Sequence, residues 1–518
     1  MYRFASPTKN LIRRYTTTAF NNGSLNQVFI VSAVRTPIGC FNGALKKLTA
    51  AELGAIAAKG AIEKAGLKPE QIEEVYFGNV LQANQGQSPA RQVVIKAGCP
   101  TTTEATTINK VCASGMKATI LAAQNLAIGD RSIMIAGGME SMSNVPFYVP
   151  RNVTYGNQEL SDGIIKDGLM DVYDQIHYDI TISYITTTIT ITNLKKCGCP
   201  TTTEATTINK VCASGMKATI LAAQNLAIGD RSIMIAGGME SMSNVPFYVP
   251  RNVTYGNQEL SDGIIKDGLM DVYDQIHMAT KIFSILGNCA ENTAKKFGIS
   301  REAQDQHAIE SYRRAAEAWK NGVFKEEIVP VIISDRKKEI VVNEDEEYKN
   351  VKFEKIPELR PVFQKDGTVT AANSSTLNDG ASALLLMTKE KVEELGVKPL
   401  ARVVSYGDAA TDPIDFTIAP SKALPVALKK AGLQISDISL FEFNEAFSVV
   451  SRANEQILGM DPNKTNIAGG AVALGHPIGS SGSRILVTLT HLLKPGQLGA
   501  AAICNGGGGA SSIIIERL

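Results

Sequence analysis

The chain has 518 residues, 44% of them hydrophobic and 20% charged, with a formal net charge of +1, a composition that allows two to four domains or one large composite core. So even a balance gives no case for a nucleic-acid or anionic-membrane partner, and no apolar run reaches the roughly 18 residues that a bilayer span needs. Eight cysteines without paired Cys-x-x-Cys motifs point to free thiols in a reducing compartment, not to a disulfide framework or a zinc site.

From Met1 to Ala51 there is no Asp or Glu, while Arg3, Lys9, Arg13 and Arg14 alternate with Ser, Thr and aromatic residues. That is the composition of a mitochondrial targeting leader, expected over residues 1–26. Val28 to Val34 reads as a buried strand that opens the folded part. Ala61-Ile62-Glu63-Lys64-Ala65-Gly66-Leu67, with a strand to follow around Val75-Tyr76-Phe77, is echoed by Ala427-Leu428-Lys429-Lys430-Ala431-Gly432-Leu433, with Leu440 to Phe443 after it. In both places a helix ends at Gly and a strand follows, and a strand precedes each (Val28 to Val34, Ala401 to Ser405), so two related α/β halves are expected.

A second repeat is of another kind. Gly98 to His177 recurs without a change as Gly198 to His277. Structural repeats drift because each copy meets a different environment, so identity over 80 residues marks a very recent duplication or an erroneous gene model. Between the copies, Tyr178 to Cys197 is dominated by Ile, Thr, Tyr and Lys; its uncharged part would be an aggregation hazard if exposed. Each copy reads as loop, helix, strand: Thr106 to Val111 leads to Cys112, Ala113 to Ile128 is helical up to Gly129, and Ser132 to Ala136 is a short strand closed by Gly137-Gly138. A cysteine at a helix N-terminus meets the positive end of the dipole, which favours thiolate. One core has room for one copy of this strand and helix. The first copy follows the N-terminal strands without interruption, which favours Cys112 over its duplicate Cys212 as the seated nucleophile and leaves a surplus copy outside with its apolar faces exposed.

Towards the C-terminus, Asn444-Glu445 follows a strand, His476 closes a Gly-rich loop from Gly469 to Gly475, and Cys504 precedes Asn505-Gly506-Gly507-Gly508-Gly509. Glycines let a substrate approach the main chain closely. A lone Cys is usually an inert small hydrophobe and a lone His a hydrogen-bonded core residue, but a nucleophilic Cys, a His and a second Cys of matching chemistry together describe acyl transfer through a thioester. No Gly-x-Gly-x-x-Gly follows a strand and no Gly-Lys-Ser/Thr occurs, which excludes the common phosphate-binding folds.

At these residues the chain resembles the thiolase family, in its mitochondrial acetyl-CoA-condensing branch. The resemblance is carried by Asn109-Lys110-Val111-Cys112-Ala113-Ser114-Gly115-Met116, Gly137-Gly138-Met139-Glu140-Ser141-Met142, Asn444-Glu445-Ala446-Phe447 and the His476 and Cys504 loops, over about Phe29 to Leu518. Two intrusions depart from it: the extra copy with its spacer, and Ala279 to Leu286, which separates His277-Met278 from Gly287-Asn288-Cys289-Ala290-Glu291-Asn292. The resemblance implies an α/β fold of two related halves in five α-β-α-β-α layers with a loop domain inserted in the N-terminal half. The N-terminal domain would span 27–397 and the C-terminal domain 398–518. It implies an acyltransferase of the mitochondrial matrix, in fatty-acid and ketone-body metabolism, that joins two acetyl-CoA into acetoacetyl-CoA and CoA through an acetyl-Cys intermediate.

In that reading Cys112 or Cys212 is the nucleophile, His476 activates it and Cys504 moves the proton at the α-carbon. Asn444, through a water, stabilises the enolate together with His476, and the N–H groups of the nucleophile and Gly506 form an oxyanion hole. Coenzyme A, as substrate, would meet Lys352, Lys355, Ser375 and His277. Potassium would lie at Tyr312, Ala371, Ala372, Ser374 and Val472, through oxygens that suit a hard cation. Nicotinamide, flavin and zinc are not expected, and a homo-oligomer, a tetramer, is. A decarboxylating ketoacyl synthase shares the fold but normally has His or Asn where Cys504 stands. A longer-chain 3-ketoacyl-CoA thiolase and an inactive scaffold of the same shape remain the alternatives.

Overall fold

The structure is a computed structural model that describes residues 25–151, 160–169, 199–200, 202–251, 259–271, 284–335 and 338–518. Nearly all of the expected leader and of the spacer, and both His177 and His277, lie outside the described residues. No helix among the described residues is long and apolar enough to cross a membrane.

The two related halves are visible in the order of elements. In the N-terminal half, helix α1 (Ala50–Lys64) is followed by Gly66 at φ 68° and strand β1 (Glu74–Gly78). Helix α2 (Pro89–Lys96) leads to the first copy, which gives strand β2 (Glu104–Asn109), helix α3 (Ser114–Ala127), strand β3 (Met134–Gly138) and strand β4 (Phe147–Val149). The second copy gives β5 (Thr207–Asn209), α4 (Ser214–Ala227), β6 (Ile233–Ser241) and β7 (Phe247–Val249). Helices α5 (Leu286–Phe297) and α6 (Arg301–Lys320) and strand β8 (Asp379–Met387) complete this half.

The C-terminal half repeats the pattern with β9 (Ala401–Ala410), α7 (Pro420–Ala431), β10 (Leu440–Phe443), α8 (Ser448–Leu458), α9 (Ile478–Leu492), β11 (Leu498–Asn505) and β12 (Gly509–Arg517). Helix α7 ends at Gly432, φ 67°, the left-handed stop that glycine permits. Its sheet has the order β9-β12-β11-β10. Buried Leu424, Phe441, Phe443 and Ile514 form one face of the core there; Tyr406, Ile485, Leu489, Ile503 and Ile513 form the other, together with Met216 and Ile220 from α4.

The exact repeat is shared out between two places, which corrects the expectation of one seated and one extruded copy. The first copy supplies β2 and β3, which flank β1 in parallel register, giving a sheet of order β3-β1-β2-β5. The second copy supplies α4, which packs on α9 in the centre of the molecule, and β6, which pairs antiparallel with β8 along its whole length. The first copy keeps something of the surplus, most of all in α3: Met116 and Ile120 are 72% and 43% exposed, whereas Met216 and Ile220 are fully buried. Val28 to Val34 is a second correction, since it has no strand pairing and Phe29, Ile30 and Val31 are exposed. The sheet it would have joined is divided: β1 takes both neighbours from the first copy, while β8 takes its partner from the second.

Candidate active site

Local sequence sets the same nucleophile turn in both copies. Asn209 Oδ1 accepts from Val211 N at 3.0 Å, Ser214 Oγ accepts from Lys210 N at 2.8 Å and donates to Val211 O at 2.6 Å. Asn109, Val111, Lys110 and Ser114 repeat these three bonds at 2.9, 2.9 and 2.5 Å. Val111 and Val211 both sit at φ 49°, a left-handed conformation that is costly for a β-branched residue.

What differs is the surroundings. Cys112 is exposed, while Cys212 is buried beneath the C-terminal half in one cluster with Ile478 and Ile503. Burial pushes the Cys212 thiol up to about 12, against a hydrogen bond from Gly506 N–H and one from its own N–H. Cys504, at the end of β11, is likewise raised by burial and then by Cys212 beside it. The structure therefore brings Cys212, not Cys112, to Cys504 and Gly506, and the preference for the first copy is corrected. The shorter chain path to Cys112 does not decide, because α4 with its buried Met216 and Ile220 holds the place against α9.

His476 is held at three points. Its N–H donates to Asn378 Oδ1 at 2.8 Å, its Nδ1 lies 2.6 Å from Ser481 Oγ, and its Nε2 faces Asn444 Nδ2 at 3.4 Å. Burial, then the Arg484 guanidinium, lowers the imidazole to about 3, so it rests neutral just ahead of the positive end of α9. Asn444 is fixed by its N–H to Ala502 O at 3.0 Å, and its buried Oδ1 has no hydrogen-bond partner among the described residues. A Cβ at Gly506 would meet Gln87 Oε1 at 2.3 Å, so a side chain there would displace the Gln87 amide.

Several contributors escaped the sequence reading. Arg91 Nε donates to Gly507 O at 2.8 Å and ties the Cys504 loop to α2. Glu445 is buried: it accepts from Ser311 Oγ (2.8 Å), Asn466 Nδ2 (2.8 Å) and Val472 N (3.2 Å) and faces His307 Nε2 at 3.1 Å. Burial alone would raise its pKa, but His307 and these donors hold it below the ordinary value. It locks the Asn444 turn to the loop that carries His476, and His307 is part of that lock. The hydroxyl run after His476-Pro477 was the visible signal for Ser481; nothing in the sequence singled out Gln87 or Arg91.

The remaining candidates are less concentrated. Lys352 and Lys355 are exposed, and Ser375 is half-buried with its Oγ donating to Ala446 O at 2.9 Å. Tyr312 and Val472 share one buried cluster, Ala372 and Ser374 are buried, and Ala371 is exposed.

Two loops that each present a thiol, a neutral imidazole beside an amide, and paired N–H groups at a glycine define a cysteine acyltransferase site. Comparison with known proteins agrees: the model described as "Thiolase, N-terminal domain" matches residues 28–196 and again 186–390, and "Thiolase, C-terminal domain" matches 397–517. The chain belongs to the thiolase family. It is 47% identical to "Acetyl-CoA acetyltransferase A, mitochondrial" of Xenopus laevis over 96% of its length and 93% of that protein's. It is 46% identical to "Acetyl-CoA acetyltransferase, mitochondrial" of Mus musculus over 96% and 92%. Among solved structures, the "Acat5 thiolase from Ascaris suum in complex with coenzyme A" matches with a TM-score of 0.57 and 39% identity, over 95% of this chain and 99% of that one.

Proposed function

We propose that the chain is an acetyl-CoA C-acetyltransferase, which condenses two acetyl-CoA reversibly to acetoacetyl-CoA and CoA. The observation that supports this is the burial of Cys212 beside Cys504 and the Gly506 N–H; Asn444, whose N–H bonds Ala502 two residues before Cys504, faces His476 at 3.4 Å. With both thiols raised and the imidazole lowered, the resting site holds two neutral thiols and a neutral base. Cys212 gives its proton to His476 as its sulfur attacks the thioester carbonyl, and the oxyanion forms against the N–H groups of Cys212 and Gly506. The C–S bond to CoA breaks and the departing sulfur takes the proton of Cys504, which leaves acetyl-Cys212, imidazolium and a Cys504 thiolate.

That thiolate removes the α-proton of the second acetyl-CoA. The enolate oxygen is stabilised by imidazolium and by Asn444 through a water that its unpartnered Oδ1 can hold. The enolate carbon attacks the acetyl group, the Cys212 sulfur leaves and recovers its proton from His476, and every proton is accounted for. Coenzyme A meets Ser375 and the basic Lys352 and Lys355. His277 is assigned to the substrate by resemblance alone. For potassium, the donor set of a phenol, a hydroxyl and main-chain oxygens at Tyr312, Ala371, Ala372, Ser374 and Val472 is neutral and hard, which fits such an ion. It would add charge and rigidity to the loops around Glu445. The leader composition and the relatives' printed names support a mitochondrial location, the matrix being assigned by resemblance alone; deleting Met1 to Asn26 should leave the enzyme cytosolic.

The test is thiolysis of acetoacetyl-CoA by the full chain with and without free CoA, then acetyl-enzyme trapping in Cys112→Ser and Cys212→Ser. Ping-pong turnover that survives Cys112→Ser and disappears in Cys212→Ser is expected. Acetyl label retained by Cys212→Ser would refute the assignment of the nucleophile, and no turnover in the unmutated chain would refute the activity.

A further inference from the structure

The two identical copies meet each other, and they do so reciprocally. Strands β4 and β7 pair antiparallel with Phe147 opposite Val249, Tyr148 opposite Tyr248 and Val149 opposite Phe247. Strands β2 and β5 pair antiparallel about Ile108 and Ile208. Side chains obey the same exchange. Arg151 Nε donates to Val245 O at 2.8 Å and Arg251 Nε to Val145 O at 3.0 Å; Arg151 pairs with Asp262 and Arg251 with Asp162. Each guanidinium also covers the other copy's ring, Arg151 over Phe247 at 4.6 Å and Arg251 over Phe147 at 4.5 Å. Glu104 meets Lys210 at 2.9 Å while Glu204 meets Lys110 at 3.0 Å. The exchange stops at the helices: Gln124 and Asn225 bond each other at 3.2 and 3.0 Å, whereas Asn125 Nδ2 turns to Glu74 and Tyr76.

A contact in which residue i of one copy meets j of the other, and j meets i, is the mark of an isologous twofold face. Here that face lies inside one chain, because the chain carries the segment twice. We infer that the repeated segment pairs with itself through Thr107–Asn109 and Phe147–Val149 and their twins, and that this chain closes in cis the twofold contact that a chain with a single copy would offer to a second copy of itself. The face is therefore closed to a second chain, so any homo-oligomer of this protein forms elsewhere on the surface. The pairing also completes the site asymmetrically. Asp267 accepts from Asn84 N at 2.9 Å and Gly86 N at 2.8 Å, holding the turn that places Gln87 against Gly506, and Tyr248 donates to it at 2.8 Å. Its twin Asp167 is met by Tyr148, because the chain has one such turn and two carboxylates for it.

The unmutated full chain, dilute and treated with a zero-length carbodiimide, should join Lys110 to Glu204 without doubling its mass. The two copies are told apart because the tryptic peptide that holds Glu204 begins at Cys197, whereas its twin begins at Ala97. The Lys110–Glu204 link in a single-chain band is the expected result. The same link in a band of twice the mass, or its absence while other Lys–carboxylate links form, overturns the inference. As an independent readout, Tyr148→Cys with Tyr248→Cys should oxidise to a single-chain species linked between positions 148 and 248, and a dimer of this folded variant whose disulfide maps to those two positions would overturn it too. Deleting residues 98–197 should yield a chain that native mass spectrometry finds paired; a folded single-copy chain that stays alone would count equally against it.

Discussion

Met116 and Met216 occupy the same position of the same sequence, so their truncation isolates the effect of environment from that of composition. Met216 is fully buried among Ile485, Ile503 and Tyr406 and lies against α9, where a Cβ on Gly482 would come within 2.6 Å of its N. Met216→Ala removes three heavy atoms from that contact. At about 0.8 kcal/mol per buried methylene-sized group the transfer loss is roughly 2 kcal/mol, and a cavity that α9 cannot fill brings the total into the range of about 2–5 kcal/mol. Met116 is 72% exposed, so Met116→Ala should change stability by no more than about 0.5 kcal/mol. Urea unfolding of both variants, followed by far-UV circular dichroism at matched protein concentration, reads the difference as a shift in midpoint at constant slope. Equal losses, or a larger loss for Met116→Ala, would refute the placement of α4 in the central layer and with it the choice of Cys212.

Other outcomes follow from the same geometry. Asp408 accepts from Lys210 and Lys217, each at 2.7 Å, in a buried network that includes Glu74 and Glu104; Asp408→Ala should cost about 3–5 kcal/mol in denaturant unfolding because it leaves buried ammonium groups short of a partner. The folded His476 imidazole titrates near 3, below its unfolded value of 6.5, so between those pH values the unfolded chain binds the extra proton and stability falls as pH falls. His476→Gln should flatten that slope in unfolding measured from pH 7 to pH 4. Glu445→Gln weakens the lock between the Asn444 and His476 loops and should lower kcat by on the order of 10- to 100-fold with little change in KM, as misplacement of catalytic groups does. Cys504→Ser should still accumulate acetyl-enzyme on Cys212 yet lose α-proton exchange into deuterated solvent, whereas His476→Ala should slow acylation itself.

The halves were legible because helix, left-handed Gly and strand recur at Gly66 and Gly432, and a glycine stop is a local signal. The three loops of the site were legible for the same reason: glycine and a reactive side chain at close spacing report on chemistry wherever the loops end up. Two features could not be read. Val28 to Val34 has the composition of a buried strand, but a strand needs a partner edge, and partner edges are set by the rest of the sheet. Glu445, Gln87 and Arg91 act through contacts made across more than a hundred residues, which no local pattern encodes.

The duplicated segment shows how far local encoding reaches. Val111 and Val211 take the same strained φ, and the two Ser caps make the same bonds, so the turn belongs to the sequence. The fate of what the turn presents does not. Glu140 accepts from Val80 N, Leu81 N and Asn79 Nδ2 and fixes the turn after β1, while its twin Glu240 accepts from Gly479 N in the first turn of α9 and is pushed by burial to about 7. Likewise one cysteine stays exposed and its twin is pressed against a second thiol. A thiol becomes a nucleophile through the N–H groups, imidazole and buried neighbours around it, and those are supplied by the C-terminal half. In this chain the copy that reaches α9 buries its cysteine beside Cys504, and the copy that reaches β1 builds the sheet.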